Sequence, residues 1–168
     1  EWGTPIHDDQ TLFEFLVLET AQAGLSWTTI LNRREGYRKA FDNFDYKKVA
    51  KYTEKDFDRL IKDERIIRNK LKIRTTITNA QNFIKIQEEF GSFDKYIWGF
   101  VNGKQKVNQI KSMSEIQANT EISDAMSKDL KSRGFKFVGS TICYAFMQAA
   151  GLVNDHAINC FRYKECQK

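Results

Sequence analysis

The chain has 168 residues, of which 41% are hydrophobic and 29% are charged, and this balance excludes a disordered chain and predicts an ordinary globular protein. Its formal net charge of +5 suits a polyanionic partner without proving one. Three cysteines are too few for a disulfide framework and suit a reducing compartment. Acidic residues interrupt every early apolar stretch and no apolar run is long enough to span a bilayer, so we expect a cytoplasmic protein with no membrane partner.

Apolar residues recur at helical spacing along almost the whole chain, and strand-like alternation is rare. Residues 101–119 are predicted to form a loop, with Asn102-Gly103 as a turn. We therefore expect an all-α fold that forms a single compact domain over residues 1–168, in one or two lobes. The predicted helices, in chain order, cover about residues 12–23, 27–41, 46–52, 54–62, 69–90, 93–100, 123–133, 140–151 and 156–160.

Capping residues set several of these boundaries. Thr53 and Asp56 have the spacing of a capping box, and Asp45 and Ser92 each precede a predicted helix. Gly91 is placed to end the longest helix. These residues predict where the helices begin and end, independently of the apolar pattern.

Glu19 lies on the first predicted helix among mostly apolar neighbours. A carboxylate is costly to bury unless something pairs with it. A cationic or amide-bearing ligand is one candidate partner, and a backbone amide or Arg33 is another. Trp27 begins the next helix, and the sequence leaves open whether it packs in the core or offers a surface for stacking.

The turn at residues 64–69 carries Ile66 and Ile67 among basic residues, which include Arg65, Arg68 and Lys70. A helix-hairpin-helix motif uses such a turn to aim backbone N–H groups at a DNA phosphate, while apolar residues fix it to the core. The glycine-rich hairpin that is usual in this motif is missing here. An ordinary helical hairpin with a solvated basic face explains the pattern equally well.

His156 and Cys160 are four residues apart on the last predicted helix, which would place both on one face as half of a zinc site. A tetrahedral site needs two more ligands, so the residues alone favour a buried histidine and a packed cysteine. Residues 133–139 interleave basic and aromatic side chains between two helices. They could contact a DNA backbone or hold the two helices together.

Several segments keep a shared order and spacing over nearly the whole chain. They resemble the 3-methyladenine DNA glycosylase I family, and the segments at 133–139 and 151–156 are the most specific. The matching segments are Glu1-Trp2-Gly3 with Pro5, residues 22–27, residues 66–70 followed by Lys72-Ile73, residues 133–139 and residues 151–156.

The resemblance implies a helix-hairpin-helix glycosylase fold and a base pocket built from Trp2, Glu19 and Trp27. Glu19 would be the residue on which catalysis depends, by recognising the methylated base. The turn at Gly24-Leu25 would enter the gap that a flipped nucleotide leaves in DNA. We expect Arg65, Arg68 and Lys70 to bind backbone phosphates.

The resemblance also implies a structural zinc ion at His156 and Cys160. Members of the family carry a short segment before the point where this sequence opens, with a Cys and a Tyr-His pair. These residues supply the other two zinc ligands and a pocket tyrosine. Because the sequence begins at Glu1, either as a fragment or after loss of the segment, we expect it to lack half of the zinc site and one wall of the pocket.

The expected function is hydrolysis of the N-glycosidic bond of 3-methyladenine in double-stranded, alkylated DNA, by a monomer that needs no dedicated catalytic Asp. Many related glycosylases place a catalytic Asp after the hairpin, but no convincing equivalent is found here, since Asp94 sits where a helix should begin. Two alternatives stay open: a non-catalytic helix-hairpin-helix DNA-binding module, and a glycosylase for another damaged purine. Release of free 3-methyladenine separates the enzyme from the binding module, and a pocket for a neutral base would show no preference for cationic lesions.

Overall fold

Helices form most of the regular structure in the computed structural model, which describes residues 1–167. Three short 3-10 turns and two very short strands complete it. None of the described helices combines the length and apolarity needed to cross a membrane. The helices are α1 Asp9–Gln22, α2 Trp27–Ala40, α3 Tyr46–Val49, α4 Glu54–Leu60, α5 Lys70–Phe90, α6 Phe93–Trp98, α7 Glu121–Ser132, α8 Ser140–Ala149 and α9 Arg162–Glu165; the strands are β1 Lys106–Val107 and β2 Val153–Asn154.

The predicted caps explain four of the helix boundaries. The Asp45 side chain accepts hydrogen bonds at the start of α3, and Thr53 with Asp56 forms a capping box before α4. Ser92 caps α6, and Gly91 ends α5 with a φ of 91°. The predicted start of α7 was wrong: the helix begins at Glu121, earlier than expected, because Thr120 forms a capping box there.

Helix α1 lies at the centre of the core. Its side chains from Leu12 to Leu18 are buried apart from Glu14, and it packs against α2, α5, α6 and α8. Such all-round burial explains why its sequence is apolar on nearly every face. The prediction of a core helix is confirmed, although the helix starts at Asp9, earlier than expected, because Asp8 caps it.

The segment after α8 is not helical, which corrects the prediction of a helix at 156–160. Strand β2 pairs in parallel with β1, and a further bridge joins Ile110 to Ala157. These long-range hydrogen bonds use the backbone N–H and C=O groups that a helix would need for its own hydrogen bonds. His156 and Cys160 therefore lie on a turn, and β1 interrupts the predicted loop at 101–119.

Candidate functional site

Glu19 is the most unusual side chain of the protein. It is 2% exposed, and its Oε2 atom has no hydrogen-bond partner within residues 1–167. Burial raises the pKa of its carboxyl to about 8, because the charged form loses its hydration. Arg33, the partner considered from the sequence, instead donates to the carbonyls of Glu64 and Ile66. The structure thus leaves the Glu19 carboxyl without the protein partner that a buried acid requires.

A cavity of about 180 Å³ lies beside this helix. Glu19 is not one of its lining residues, but it directly follows Leu18 and lies one turn beyond Phe15, so it shares a helix face with one of the walls. Trp2 and Trp27, from separate segments, both line the cavity. The apolar walls comprise Trp2, Phe15, Leu18, Trp27, Leu31 and Ala149.

Two contacts fix the position of Trp2. Its carbonyl accepts a hydrogen bond of 2.8 Å from His156 Nε2, and its indole packs edge-to-face on the same imidazole with ring centroids 4.7 Å apart. At the cavity rim, Arg34 forms ion pairs with Glu1 and Glu14. The sequence did not indicate this network, because its members are far apart in the chain and none lies in a recognisable motif.

The Gly24-Leu25 turn projects from the end of α1. Gly24 has a φ of +80°, and no atom lies within 4 Å of the position that a Cβ would take. The glycine is needed there for its backbone conformation and not for close packing. Leu25 is 38% exposed at the tip of the turn, so an apolar side chain is presented to solvent beside the cavity-lining Trp27.

The basic side chains at and next to the turn at 64–69 differ in whether an acidic residue of the protein binds them. Arg65 is bound to Asp63 through two hydrogen bonds of 2.9 and 2.8 Å. Arg68 and Lys70 are exposed and have no ion pair or side-chain hydrogen bond within the part of the chain that the structure describes. Ile66 is buried and anchors the turn.

A glycine-containing hairpin occurs at residues 133–139, between α7 and α8. Gly134 has a φ of +90°, and a Cβ there would lie 2.9 Å from the Asn82 amide. Phe135 and Val138 are buried and pin the connection, whereas Lys136 is exposed. The hairpin features that are absent at 64–69 are thus present in this second turn.

Comparison with known proteins decides the family. A sequence profile described as methyladenine glycosylase matches residues 1–163.

The chain belongs to the methyladenine glycosylase family.

Within this family, the chain is 50% identical over 163 residues to DNA-3-methyladenine glycosylase 1 of Escherichia coli strain K12, covering 97% of this chain and 87% of that protein. A crystal structure of 3-methyladenine DNA glycosylase I matches with a TM-score of 0.93 at 46% identity, over 100% of this chain and 90% of that one. A structure from Staphylococcus aureus, solved to explain recognition of 3-methyladenine, matches with a TM-score of 0.93 at 41% identity, over 95% of this chain and 85% of that one.

The pair of residues expected to bind zinc lies together although the predicted helix is absent. His156 Nδ1 and Cys160 Sγ are 3.8 Å apart, close to the roughly 3.6 Å that tetrahedral zinc bonds to nitrogen and sulfur imply. The Trp2 carbonyl can only accept a hydrogen bond, so Nε2 carries a proton, and Nδ1 is the nitrogen that faces the sulfur. The two residues fit half of a tetrahedral site.

In the described part of the chain, no third metal-binding side chain joins His156 and Cys160. Among residues 1–167 there is no cluster of three or more His, Cys, Asp and Glu side chains suited to a metal ion. Cys166 is buried, with its sulfur 3.7 Å from Thr4 Oγ1 and 3.9 Å from the Trp2 carbonyl. His7, the other histidine, instead pairs with Asp94 at 2.7 Å and stacks on Trp98.

Proposed function

We propose that the protein is a DNA glycosylase that hydrolyses the N-glycosidic bond of 3-methyladenine in alkylated, double-stranded DNA. The observation that carries the proposal is the buried, unpartnered carboxyl of Glu19 beside a cavity with two tryptophan walls. An acid left unpaired in this way destabilises the fold, and such groups are common where a ligand supplies the missing partner. The names of the relatives agree with this substrate.

Recognition follows from the charge of the damaged base. Methylation at N3 makes adenine cationic while it is attached to the sugar, and a flipped cation beside Glu19 favours the ionised carboxylate. The carboxylate can then accept a hydrogen bond from the exocyclic amine. Trp2 and Trp27 can stack on the base, with a cation–π contribution of about 0.5 to 2 kcal/mol.

The chemical step needs little help from an acid. When the glycosidic bond breaks, its electron pair neutralises the cationic base, which leaves as a neutral molecule. Water adds its hydroxyl group to the sugar carbon and loses a proton. Asp94, which the sequence already disfavoured as a catalytic carboxylate, is hydrogen-bonded to His7 at 2.7 Å. We therefore assign Glu19 to base recognition and assign no residue as general acid.

Helix α5 connects the parts proposed to face DNA. It begins directly after the basic turn at 64–69, and its Asn79 holds both the N–H and the carbonyl of Lys136 in the second hairpin. We propose that Leu25 fills the gap left by the flipped base and that Arg68 and Lys70 bind phosphates. The 133–139 turn, with its glycines and buried apolar anchors, is the better candidate for the helix-hairpin-helix.

We further propose that His156 and Cys160 hold a structural zinc ion when the family's preceding segment supplies the other two ligands. A fully ligated zinc has no open position and contributes stability, not chemistry. The two residues present would orient the ion, and His156 would at the same time keep its hydrogen bond to Trp2. We also propose that the enzyme works as a monomer in the cytoplasm, as the sparse cysteines favour.

The test is incubation with a methylated DNA duplex, followed by chromatographic identification of the released bases. We expect free 3-methyladenine in amounts equal to the abasic sites formed. A matched duplex that carries a neutral oxidised purine is the control and should release nothing. DNA binding without base release would support the non-catalytic module, and release of the neutral purine would support a glycosylase for another lesion.

A further inference from the structure

The end of α1 is held by a side chain from another helix. Lys72, in the first turn of α5, donates from Nζ to the carbonyl of Ala21 at 2.9 Å and to the carbonyl of Ala23 at 2.6 Å. These carbonyls immediately precede the turn formed by Gly24 and Leu25. Lys72 therefore ties the backbone of the turn to α5.

This arrangement suits the C-terminal end of α1. The last carbonyls of a helix lack intrahelical partners and carry a partial negative charge, which an ammonium group satisfies. Lys72 is partly buried, and no carboxylate of residues 1–167 forms an ion pair with it. Burial alone lowers the pKa of its ammonium group, so the chain bears a desolvation cost at this position.

The turn itself has little other support. The surroundings of Gly24 are empty to 4 Å from the position of a Cβ, and Leu25 is exposed. The Leu25 N–H donates to the Gln22 carbonyl at 2.6 Å, a bond within the turn that does not attach it to the body of the protein. The two carbonyl bonds of Lys72 supply that attachment.

We propose that Lys72 is a positioning residue that holds the Gly24-Leu25 turn in the shape in which Leu25 enters the gap left by a flipped nucleotide. The inference rests on the proposed function. Lys72 lies two residues after Lys70, which is proposed to bind phosphate. Because both lysines are on α5, the helix fixes the position of Leu25 relative to the phosphate that Lys70 would bind.

The experiment is a double-mutant cycle between Lys72→Met and Leu25→Ala, measured as single-turnover release of 3-methyladenine from duplex DNA. Met keeps the unbranched shape and most of the length of the side chain but removes its donors. We expect Lys72→Met to slow release about tenfold, the scale of losing a hydrogen bond from a charged donor. In the Leu25→Ala background we expect the same substitution to change the rate by less than about twofold, because the two residues act together.

Three controls distinguish positioning from general destabilisation. Lys72→Arg, which keeps the donors, should retain most of the activity. Lys85→Met removes an exposed lysine from the same helix and should behave as the wild type. Binding of free 3-methyladenine should be unchanged in Lys72→Met, because the cavity walls are untouched.

An equal loss in both Leu25 backgrounds, or weakened binding of the free base, would overturn the inference. Amide hydrogen exchange supplies a readout that does not depend on activity. We expect faster exchange at residues 22–26 in Lys72→Met, and unchanged exchange there would also overturn the inference. If the wild type released no base, the proposed function would be refuted. The exchange measurement would still show whether the hydrogen bonds of Lys72 hold the turn in place.

Discussion

Glu19 is a residue whose burial follows from the sequence but whose missing partner does not. Its position on an apolar helix predicted a buried carboxyl, and the structure confirms the burial. The sequence could not decide between a ligand and Arg33 as its partner, because the direction of a long arginine side chain depends on packing. Arg33 turns away to two backbone carbonyls, and the carboxyl has no other partner among the residues that the structure describes.

The raised pKa of Glu19 should make stability depend on pH. The carboxyl titrates near 4.5 in the unfolded chain and near 8 in the folded protein. Between these values only the folded state keeps the proton. The effect of Glu19 on stability is therefore most favourable below about pH 4.5, and this stability is lost as the pH rises through the folded-state value of about 8. The slope is at most about 1.4 kcal/mol per pH unit.

Denaturant unfolding of the wild type and Glu19→Gln across this pH range measures the effect. Gln does not titrate, and the other groups are common to both proteins, so their contributions cancel in the difference. We expect the stability difference to shift in favour of Glu19→Gln as the pH rises. Parallel stability curves would show that the carboxyl titrates normally in the folded protein.

At the scale of elements, the helices could be predicted and the strand pairing could not. Caps such as Asp45, Thr53 and Ser92 act on amides within a few residues, so the sequence contains all the information they require. Strands β1 and β2 have two residues each and are far apart in the chain. Strands this short have no periodicity, and this explains the wrong prediction of a helix at His156 and Cys160.

The basic turn at 64–69 allows a test of its own. Arg68→Gln should weaken binding to all duplexes alike and lower the dependence of the logarithm of the binding constant on salt by about one unit. Lys85→Gln makes the same change of charge on an exposed face of α5 and serves as the matched control. If the loss depended on the bases that flank the lesion, Arg68 would be reading sequence and the phosphate assignment would be wrong.

At the scale of the whole molecule, the two ends of the described chain meet beside the cavity. The N–H groups of Gly3 and Ile6 donate to carbonyls at the end of α8, and the Trp2 carbonyl contacts His156. Gly151, with a φ of +76°, faces the backbone of Thr4 so closely that a Cβ would collide with it. The sequence order of the motifs predicted the family. It did not predict that the N-terminal residues pack against the segment after α8, because this packing depends on contacts between residues about 150 positions apart.

Zinc content tests whether a metal ion binds at His156 and Cys160, next to the contact between Trp2 and His156. With His156 and Cys160 as its only paired ligands in the described chain, the 168-residue protein should retain zinc weakly after dialysis. Addition of the family's preceding segment should restore one tightly held ion, as measured by elemental analysis. His156→Ala should abolish that gain, and Cys166→Ser should not. Stoichiometric zinc in the protein without the segment would show that other ligands complete the site.

Recognition of the methylated base by the Glu19 carboxyl is tested by two measurements on Glu19→Gln. Gln keeps the shape and one acceptor oxygen but cannot become an anion. We expect weaker binding of free 3-methyladenine, by about 1 to 3 kcal/mol, the scale of a hydrogen bond to a charged group. Single-turnover excision from duplex DNA should fall by a comparable factor. Intact binding of the free base together with a complete loss of excision would contradict this mechanism, since Glu19 would then be a chemical catalyst.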